Sequence, residues 1–264
     1  MTIMVSGTGI AGMSAALAAA NAGHQVTLCG PLASTPPAGG IQLAPNGWQA
    51  LDQLGLFDAA IKRATRLDHI VVRDLGSGAT LTRLGLNNHY ASIGRADLLD
   101  LLQDTVAKHD SITHHTALIS HAVPHKDGVD LVFEDGHSTK AAALVAADGA
   151  AGLGRRLVAD ATSVDKQPNG RVAMRADIDA ALLPAVFAQP ASNLWLGQGA
   201  HLVHYPIAGG DRINFAVTLS AQLAASHWQA KIFGTNPLFD TLASGSFTWA
   251  TTSVSPAGSP LCWR

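Results

Sequence analysis

A short apolar run, Ile3-Met4-Val5-Ser6, opens directly into GTGIAG, and that junction restricts the fold more than any other feature of the chain. It places Gly7, Gly9 and Gly12 in G-x-G-x-x-G spacing. The following stretch, Met13 to Ala22, is almost entirely small and aliphatic helix former. Gly23 stops it, and Gln25 to Cys29 reads as a second strand. Strand, glycine turn, helix and strand within thirty residues form the setting in which this motif binds dinucleotides. There Gly7 permits the tight turn, Gly9 lets backbone approach a pyrophosphate, and Gly12 lets the helix pack closely on the strand. The helix start, with Ile10 and Ala11, offers unpaired N–H groups and a positive dipole end to phosphate oxygens.

One part of the pattern is missing. The acidic residue that meets the adenosine ribose belongs at the end of the second strand. Cys29 and Gly30 stand there, and no Asp, Glu, Lys or Arg precedes Asp52. Either backbone and water hold the ribose, or a 2′-phosphate is tolerated, or nucleotide affinity is poor.

Composition narrows the class further. The 264 residues are 47% hydrophobic and only 14% charged, enough for one large or two modest domains with a real core. A net charge of −2 gives no electrostatic reason to expect nucleic acid or an anionic membrane as partner. Two cysteines make neither a disulfide framework nor a metal quartet. The twelve histidines are scattered, with His114-His115 the one adjacent pair, and neighbours on a strand face opposite ways, so no metal site is expected. The apolar N-terminus lacks a basic leader and is broken by its glycines, which points to a cytoplasmic protein with no membrane span.

Further along, Pro31 to Gly40 reads as a loop, and Asn46 as the N-cap of a helix carrying Trp48, Leu51 and Leu54. His69 to Leu75 and Ala79 to Leu84 flank Gly76-Ser77-Gly78 as a hairpin. Arg95-Ala96-Asp97 opens an amphipathic helix with Leu98, Leu101, Leu102 and Val106 on one stripe. Asp135-Gly136 supplies turn chemistry between Val129–Phe133 and a strand ending at Ala147, which runs into Asp148-Gly149. From Arg171 onward longer β runs dominate. The expected fold class is α/β: a Rossmann-like nucleotide domain, residues 1–158, followed by a mainly antiparallel β-sheet domain, residues 159–264.

Taken in order, GTGIAGM, GGIQLAPNGWQALDQLGL, GRADLLDLL, VAADGAAGLGRR and NGRVAMRADI through HLVHYPIAGGDRINFAVTL cover nearly the whole chain. Together they resemble the FAD-dependent aromatic monooxygenases, the salicylate and hydroxybenzoate hydroxylases. The resemblance implies that Gly7, Gly9, Ile10, Ala11 and Gly12 bind the FAD pyrophosphate. It places Arg95 near the phosphate–ribityl region and makes Asp148-Gly149 a second fingerprint serving flavin and nicotinamide nucleotide. It also implies NADH or NADPH and oxygen as co-substrates and a small aromatic, phenolic substrate.

Two departures from the family pattern stand out. Gly152 replaces a usual serine in the second fingerprint. The third fingerprint, a Gly-Asp-Ala-Ala-His type run, has no counterpart, and Pro260-Leu261-Cys262-Trp263-Arg264 stands where its strand would begin. On that reading the FAD-binding domain is incomplete, flavin binding is weakened, and the uncovered face invites a second copy or another partner.

The base expected to accept a phenolic proton lies in Ala200 to Pro206. Strand alternation gives His201, Val203 and Tyr205 one face and Leu202 and His204 the other. His201 and Tyr205, about 13 Å apart, can bracket a small ring over Val203, and related hydroxylases place a His and a Tyr at this spacing. An imidazole titrating near its ordinary value suits that proton transfer. The competing reading makes both plain sheet residues. Two other functions stay open: a non-catalytic, nucleotide-binding remnant of such an enzyme, and an ordinary NAD(P) dehydrogenase, which would require further β-α units after residue 60.

Overall fold

A computed structural model describes residues 2–32, 39–86, 90–150, 152–158, 170–224 and 250–252. The Pro260–Arg264 segment on which the missing-fingerprint expectation rests lies outside them. The chain forms two compact units, each gathered from separate stretches. One comprises Met1–Pro36, Leu51–Leu56 and Leu98–Gln167; the other comprises Pro37–Ala50, Phe57–Asp97 and Pro168–Arg264.

The first unit contains the parallel sheet that the opening motif requires. Its strand order is Ala143–Ala146, Thr2–Ser6, Gln25–Cys29, Ile112–His115, and every pairing is parallel. The helix Ile10–Asn21 connects the first two strands in sequence and buries Gly12, Met13, Ala16, Leu17 and Ala20. From Met13 onward that is i, i+3, i+4, i+7 spacing, one stripe against the sheet. Past its end Gly23 takes φ +87, the left-handed conformation in which glycine terminates helices. The two central strands, Thr2–Ser6 and Gln25–Cys29, are the buried, apolar ones (Val5 and Leu28 fully so), while Ala143–Ala146 and Ile112–His115 on either side are largely exposed or half-buried.

An antiparallel meander in the same unit, Ile119–His125, Gly128–Phe133 and Ser138–Ala141, closes a second core. Val129, Leu131 and Phe133 alternate inward there against Met4 and Cys29. The Asp135-Gly136 turn joins Gly128–Phe133 to Ser138–Ala141, and the Phe133 N–H donates to the His137 carbonyl at 2.8 Å. The strand before Asp148, Ala143–Ala146, is thus a separate element and pairs with Thr2–Ser6. Local turn chemistry was read correctly but assigned to the wrong partner strand, because one residue, Ala142, suffices to change sheets.

The second unit is built on a seven-stranded sheet: Ala250–Thr252, Arg171–Asp179, Arg212–Ser220, Ala200–Ile207, Ala191–Gly197, His69–Asp74, Thr80–Gly85. All its pairings are antiparallel save Ala191–Gly197 with His69–Asp74. The expected hairpin forms, but its first strand joins one more than a hundred residues away. A linear cut after residue 158 passes between these paired strands. One sheet face buries Leu202, Phe215, Val217, Leu219, Trp195 and Ile213 beneath Leu183 and Phe187 from two 3-10 turns. Each such side chain removed from water contributes about 1.5–3 kcal/mol. A smaller sheet, Gly40–Leu43, Ala91–Gly94 and Thr65–Arg66, belongs to this unit as well.

The helix expected after an Asn46 cap begins two residues earlier, at Pro45. Proline is preorganised for a first helical position and needs no N–H partner there, so it displaces Asn46 from the cap into the first turn. Among the described residues no helix is long and apolar enough to cross a membrane, and no cluster of metal-ligating side chains occurs.

Candidate functional site

In the first unit Gly7, Gly9, Gly12, Asp148 and Gly149 gather at the C-terminal ends of two adjacent parallel strands, where α/β sheets bind ligands. Gly7 sits at φ +104, its N–H donates to the Cys29 carbonyl at 2.9 Å, and a β-carbon on it would run into Ala147 and the Asp148 nitrogen. A β-carbon on Gly12 would overlap the Gly7 carbonyl oxygen. These two glycines are therefore required by the turn itself. Gly9 differs: it is the N-cap of Ile10–Asn21, no side chain caps it, and no atom lies within 4 Å of where its β-carbon would stand. Open space faces a helix start whose first N–H groups have no intrahelical acceptor. Shape, donors and dipole all fit a pyrophosphate.

Asp148 has a structural partner set. One of its oxygens, Oδ2, accepts from the Ser6 hydroxyl at 3.2 Å and from the Gly154 N–H at 3.2 Å. It thereby ties the first strand to the short helix Leu153–Val158. A β-carbon at Gly152 would overlap the Asp148 carboxylate, which occupies the space next to that glycine. Gly149 follows at φ +79.

The end of the second strand is closed without a carboxylate. The Gly30 N–H donates to the His115 carbonyl at 2.9 Å, and the Gly30 carbonyl lies 2.8 Å from Nε2 of His114. The Thr8 hydroxyl donates to the Pro31 carbonyl at 2.6 Å. Burial pushes the Cys29 thiol up to about 12, so it offers neither charge nor reactivity at neutral pH.

In the second unit the sequence-read faces of Ala200–Ile207 are the observed ones. Val203, Tyr205 and Ile207 pack with Leu67, Leu86 and Tyr90. His204 lies on the opposite face, 1% exposed, between Phe187, Trp195 and Phe215 with ring centroids 4.9, 6.0 and 5.5 Å away. Burial and the nearby Arg73 charge lower its titration to about 3. Half-buried His201 shares the Tyr205 face; burial first, then Arg171, holds it neutral below the usual imidazole range. Burial raises the Tyr205 phenol, with the Arg175 charge opposing.

Tyr205, Asn214 and Asp177 form one row across three strands. Over that row runs the start of Gly40–Leu43. The Gly39 N–H donates to Asp177 Oδ2 at 2.9 Å, and the Gly40 N–H to Asn214 Oδ1 at 2.8 Å. A β-carbon at Gly40 would stand 2.6 Å from Cε2 of Tyr205 and 3.1 Å from its hydroxyl, so glycine lets this backbone lie on the phenol ring. Two residues on, Gln42 donates from Nε2 to the Ser192 hydroxyl at 3.0 Å and accepts from the Tyr90 hydroxyl at 2.8 Å. Arg95 also belongs to this unit. Its backbone N–H donates to the Gly39 carbonyl at 2.8 Å, its Nε is buried without a partner, and burial together with Arg175 lowers its affinity for a proton.

The structure therefore brings the fingerprint residues together in one unit and His201, Tyr205 and Arg95 in the other. Reading by motif missed Gln42, Tyr90, Arg175, Asp177, Ser192 and Asn214. Period-2 alternation of Arg175 and Asp177 within Arg171–Asp179 was the one available trace, since two charges on a half-buried strand face need a reason to be there.

No protein-family profile matches the chain. Among curated proteins, 3-hydroxybenzoate 6-hydroxylase of Polaromonas naphthalenivorans is 33% identical over 240 residues, 84% of this chain and 57% of that protein. The 3-amino-4-hydroxybenzoate 2-monooxygenase PtnB3 of Streptomyces platensis is 34% identical over 241 residues, 88% of this chain and 58% of that protein. The fold is shared with HpxO of Klebsiella pneumoniae, solved with FAD and uric acid (TM-score 0.76, 24% identity, 92% of this chain and 64% of that one). It is shared too with a salicylate hydroxylase substrate complex (TM-score 0.76, 20% identity, 95% and 67%). The chain spans rather more than half the length of the curated relatives it matches. By sequence and fold it is a relative of the FAD-dependent aromatic hydroxylases.

Proposed function

We propose that this chain carries the nucleotide turn and much of the substrate face of an FAD-dependent monooxygenase. That enzyme would hydroxylate a small phenolic ring with NADH or NADPH and oxygen, in the cytoplasm where those nucleotides are supplied. The observation that carries the reading is the pairing of an open, uncapped helix start at Gly9 with a histidine–tyrosine face on Ala200–Ile207. FAD, when bound, supplies the oxygen-activating chemistry, and the protein supplies binding and orientation.

In this reading Gly7, Gly9, Ile10, Ala11 and Gly12 hold the pyrophosphate through backbone N–H groups and the helix dipole. Asp148 acts at one remove, by fixing the end of Ala143–Ala146 beside that turn. The ring of the substrate lies over Val203. His201, kept neutral by burial, has a ring nitrogen to accept the phenolic proton, which raises the electron density of the ring. The Tyr205 hydroxyl, protonated because burial raises it, donates to a substrate oxygen. Gln42, anchored by Ser192 and Tyr90, keeps the strand above this face in place and excludes water.

Titration of the 264-residue chain with FAD, read by flavin absorption and fluorescence, tests the first half. Saturable binding with a perturbed spectrum supports it; no binding at tens of micromolar (roughly −6 kcal/mol) sinks it. NAD(P)H oxidation in the presence of hydroxybenzoates tests the second half. Flavin binding without such oxidation would instead favour a nucleotide-binding protein without turnover. The carboxylate-free end at Cys29 and Gly30 favours that second reading.

A further inference from the structure

The peptide unit between Gly39 and Gly40 is trans, so its carbonyl and its N–H point opposite ways. On one side the Gly40 N–H donates to Asn214 Oδ1 at 2.8 Å; on the other the Gly39 carbonyl accepts the Arg95 N–H, also at 2.8 Å. Arg95 opens the helix Arg95–Ala107, and the first N–H groups of a helix have no intrahelical acceptor. A single peptide unit therefore bridges a side chain of the sheet row and the first turn of this helix. Polarisation along such a chain makes each bond stronger for the presence of the other.

Asp177 takes hold of the same segment one N–H earlier. It faces Asn214 across two paired strands, and its Oδ2 accepts the Gly39 N–H at 2.9 Å. Gly39 takes φ +142, a conformation that side chains rarely adopt, and with it two successive N–H groups reach these two neighbouring acceptors. Arg212 and Arg175 are near enough to favour the carboxylate's charge, yet Oδ2 is spent on backbone and Oδ1 is buried without a partner. Arg212 donates instead to the Asp177 carbonyl at 2.6 Å, which steadies the strand from which the carboxylate reaches out. At the far end of the bridge the Arg95 side chain is half-buried with its Nε unpaired. A long side chain with an unused buried donor depends on its backbone for aim.

We infer that Asp177 is a positioning residue for Arg95: by holding Gly39 on the sheet row it fixes the carbonyl on which the Arg95 helix starts, and with it the direction in which the guanidinium meets an anion. The inference rests on the hydroxylase reading above, in which that anion is a phosphate of FAD. A carboxylate acting only through its charge would have the opposite sign, because its removal would strengthen the attraction of this face for phosphate.

Titration of the whole chain with FAD, read by flavin fluorescence, separates the two. Asp177→Val, whose branched side chain suits a strand, should weaken FAD binding by about three- to tenfold, the worth of one hydrogen bond. Asp177→Asn loses the charge but keeps an oxygen for the Gly39 N–H, and should stay within about twofold of wild type. In an Arg95→Met background Asp177→Val should change nothing further, since its effect runs through the guanidinium. Amide hydrogen exchange without flavin gives an independent readout. Asp177→Val should speed exchange at Gly40 and Arg95 by about tenfold and leave Phe215, in the sheet core, where it was. Asp177→Ala takes its place if Asp177→Val does not fold. Tighter FAD binding in Asp177→Asn, additive losses in the double variant, or unchanged exchange at Arg95 each overturn the inference and leave the flavin reading standing. No FAD binding by the wild type overturns the flavin reading, and the inference with it, whatever the amides do.

Discussion

The side-chain oxygen of Asn214 accepts the backbone N–H of Gly40 at 2.8 Å, in a position wholly closed to solvent. Through that bond the strand carrying Gln42 is fastened to the sheet row carrying Tyr205. An apolar replacement leaves a buried N–H with no acceptor. We expect Asn214→Leu to cost about 1–3 kcal/mol, measured by urea denaturation, and to weaken aromatic-ligand binding as well. A change below a few tenths of a kcal/mol would mean that the bond contributes nothing net.

The three fingerprint glycines should separate by function. Gly7→Ala demands a positive φ and a collision with Ala147, and Gly12→Ala a collision with Gly7. Both should destabilise the fold by about 2 kcal/mol or more. Gly9→Ala meets open space and an ordinary backbone conformation, so its melting should shift by less than about 1 kcal/mol. It should nonetheless abolish FAD binding, because the added methyl occupies the approach to the helix start. Retained flavin affinity in Gly9→Ala would place the pyrophosphate elsewhere.

Asp148 should behave as a tether. Removing its carboxylate in Asp148→Ala leaves Ser6 and the Gly154 N–H without their acceptor, at a cost of about 1 kcal/mol. Asp148→Asn keeps a side-chain oxygen for both and should recover most of that loss in a thermal melt. A direct role in nucleotide contact would instead reduce affinity in Asp148→Asn with stability unchanged.

His204 gives the fold a pH dependence of definite sign. Its folded titration is near 3, against an ordinary value of 6.5. Between those values the unfolded chain binds a proton that the folded chain refuses. Stability is therefore fully present above about pH 6.5 and falls as the pH drops toward 3, by up to about 1.4 kcal/mol per pH unit. His204→Leu removes two buried nitrogens that have no partner and should flatten this slope while raising stability at pH 7. Parallel slopes for the two proteins would exclude His204 as the cause.

Legibility followed the range over which each feature is determined. The turn at Gly7 to Gly12 is specified within a dozen residues, and the two faces of Ala200–Ile207 follow from strand alternation alone, so both could be read directly. The pairing of His69–Asp74 with Ala191–Gly197 depends on packing between stretches distant in sequence, and nothing local encodes it. The same is true of the cluster around Tyr205. Gly40, Asn214 and Asp177 are unremarkable in their own segments and acquire meaning only when the row across three strands sets them side by side. Proline at position 45 overruled Asn46 because a fixed φ outweighs a side-chain cap that has to be ordered.

The space beside Gly152 is already taken by the carboxylate of Asp148. A serine at position 152, the residue the hydroxylase resemblance leads one to expect there, would displace that carboxylate, breaking its hold on Ser6 and Gly154 in the same stroke. The side chains at 148 and 152 thus compete for one volume. A laboratory swap at either one, made alone, would report on both.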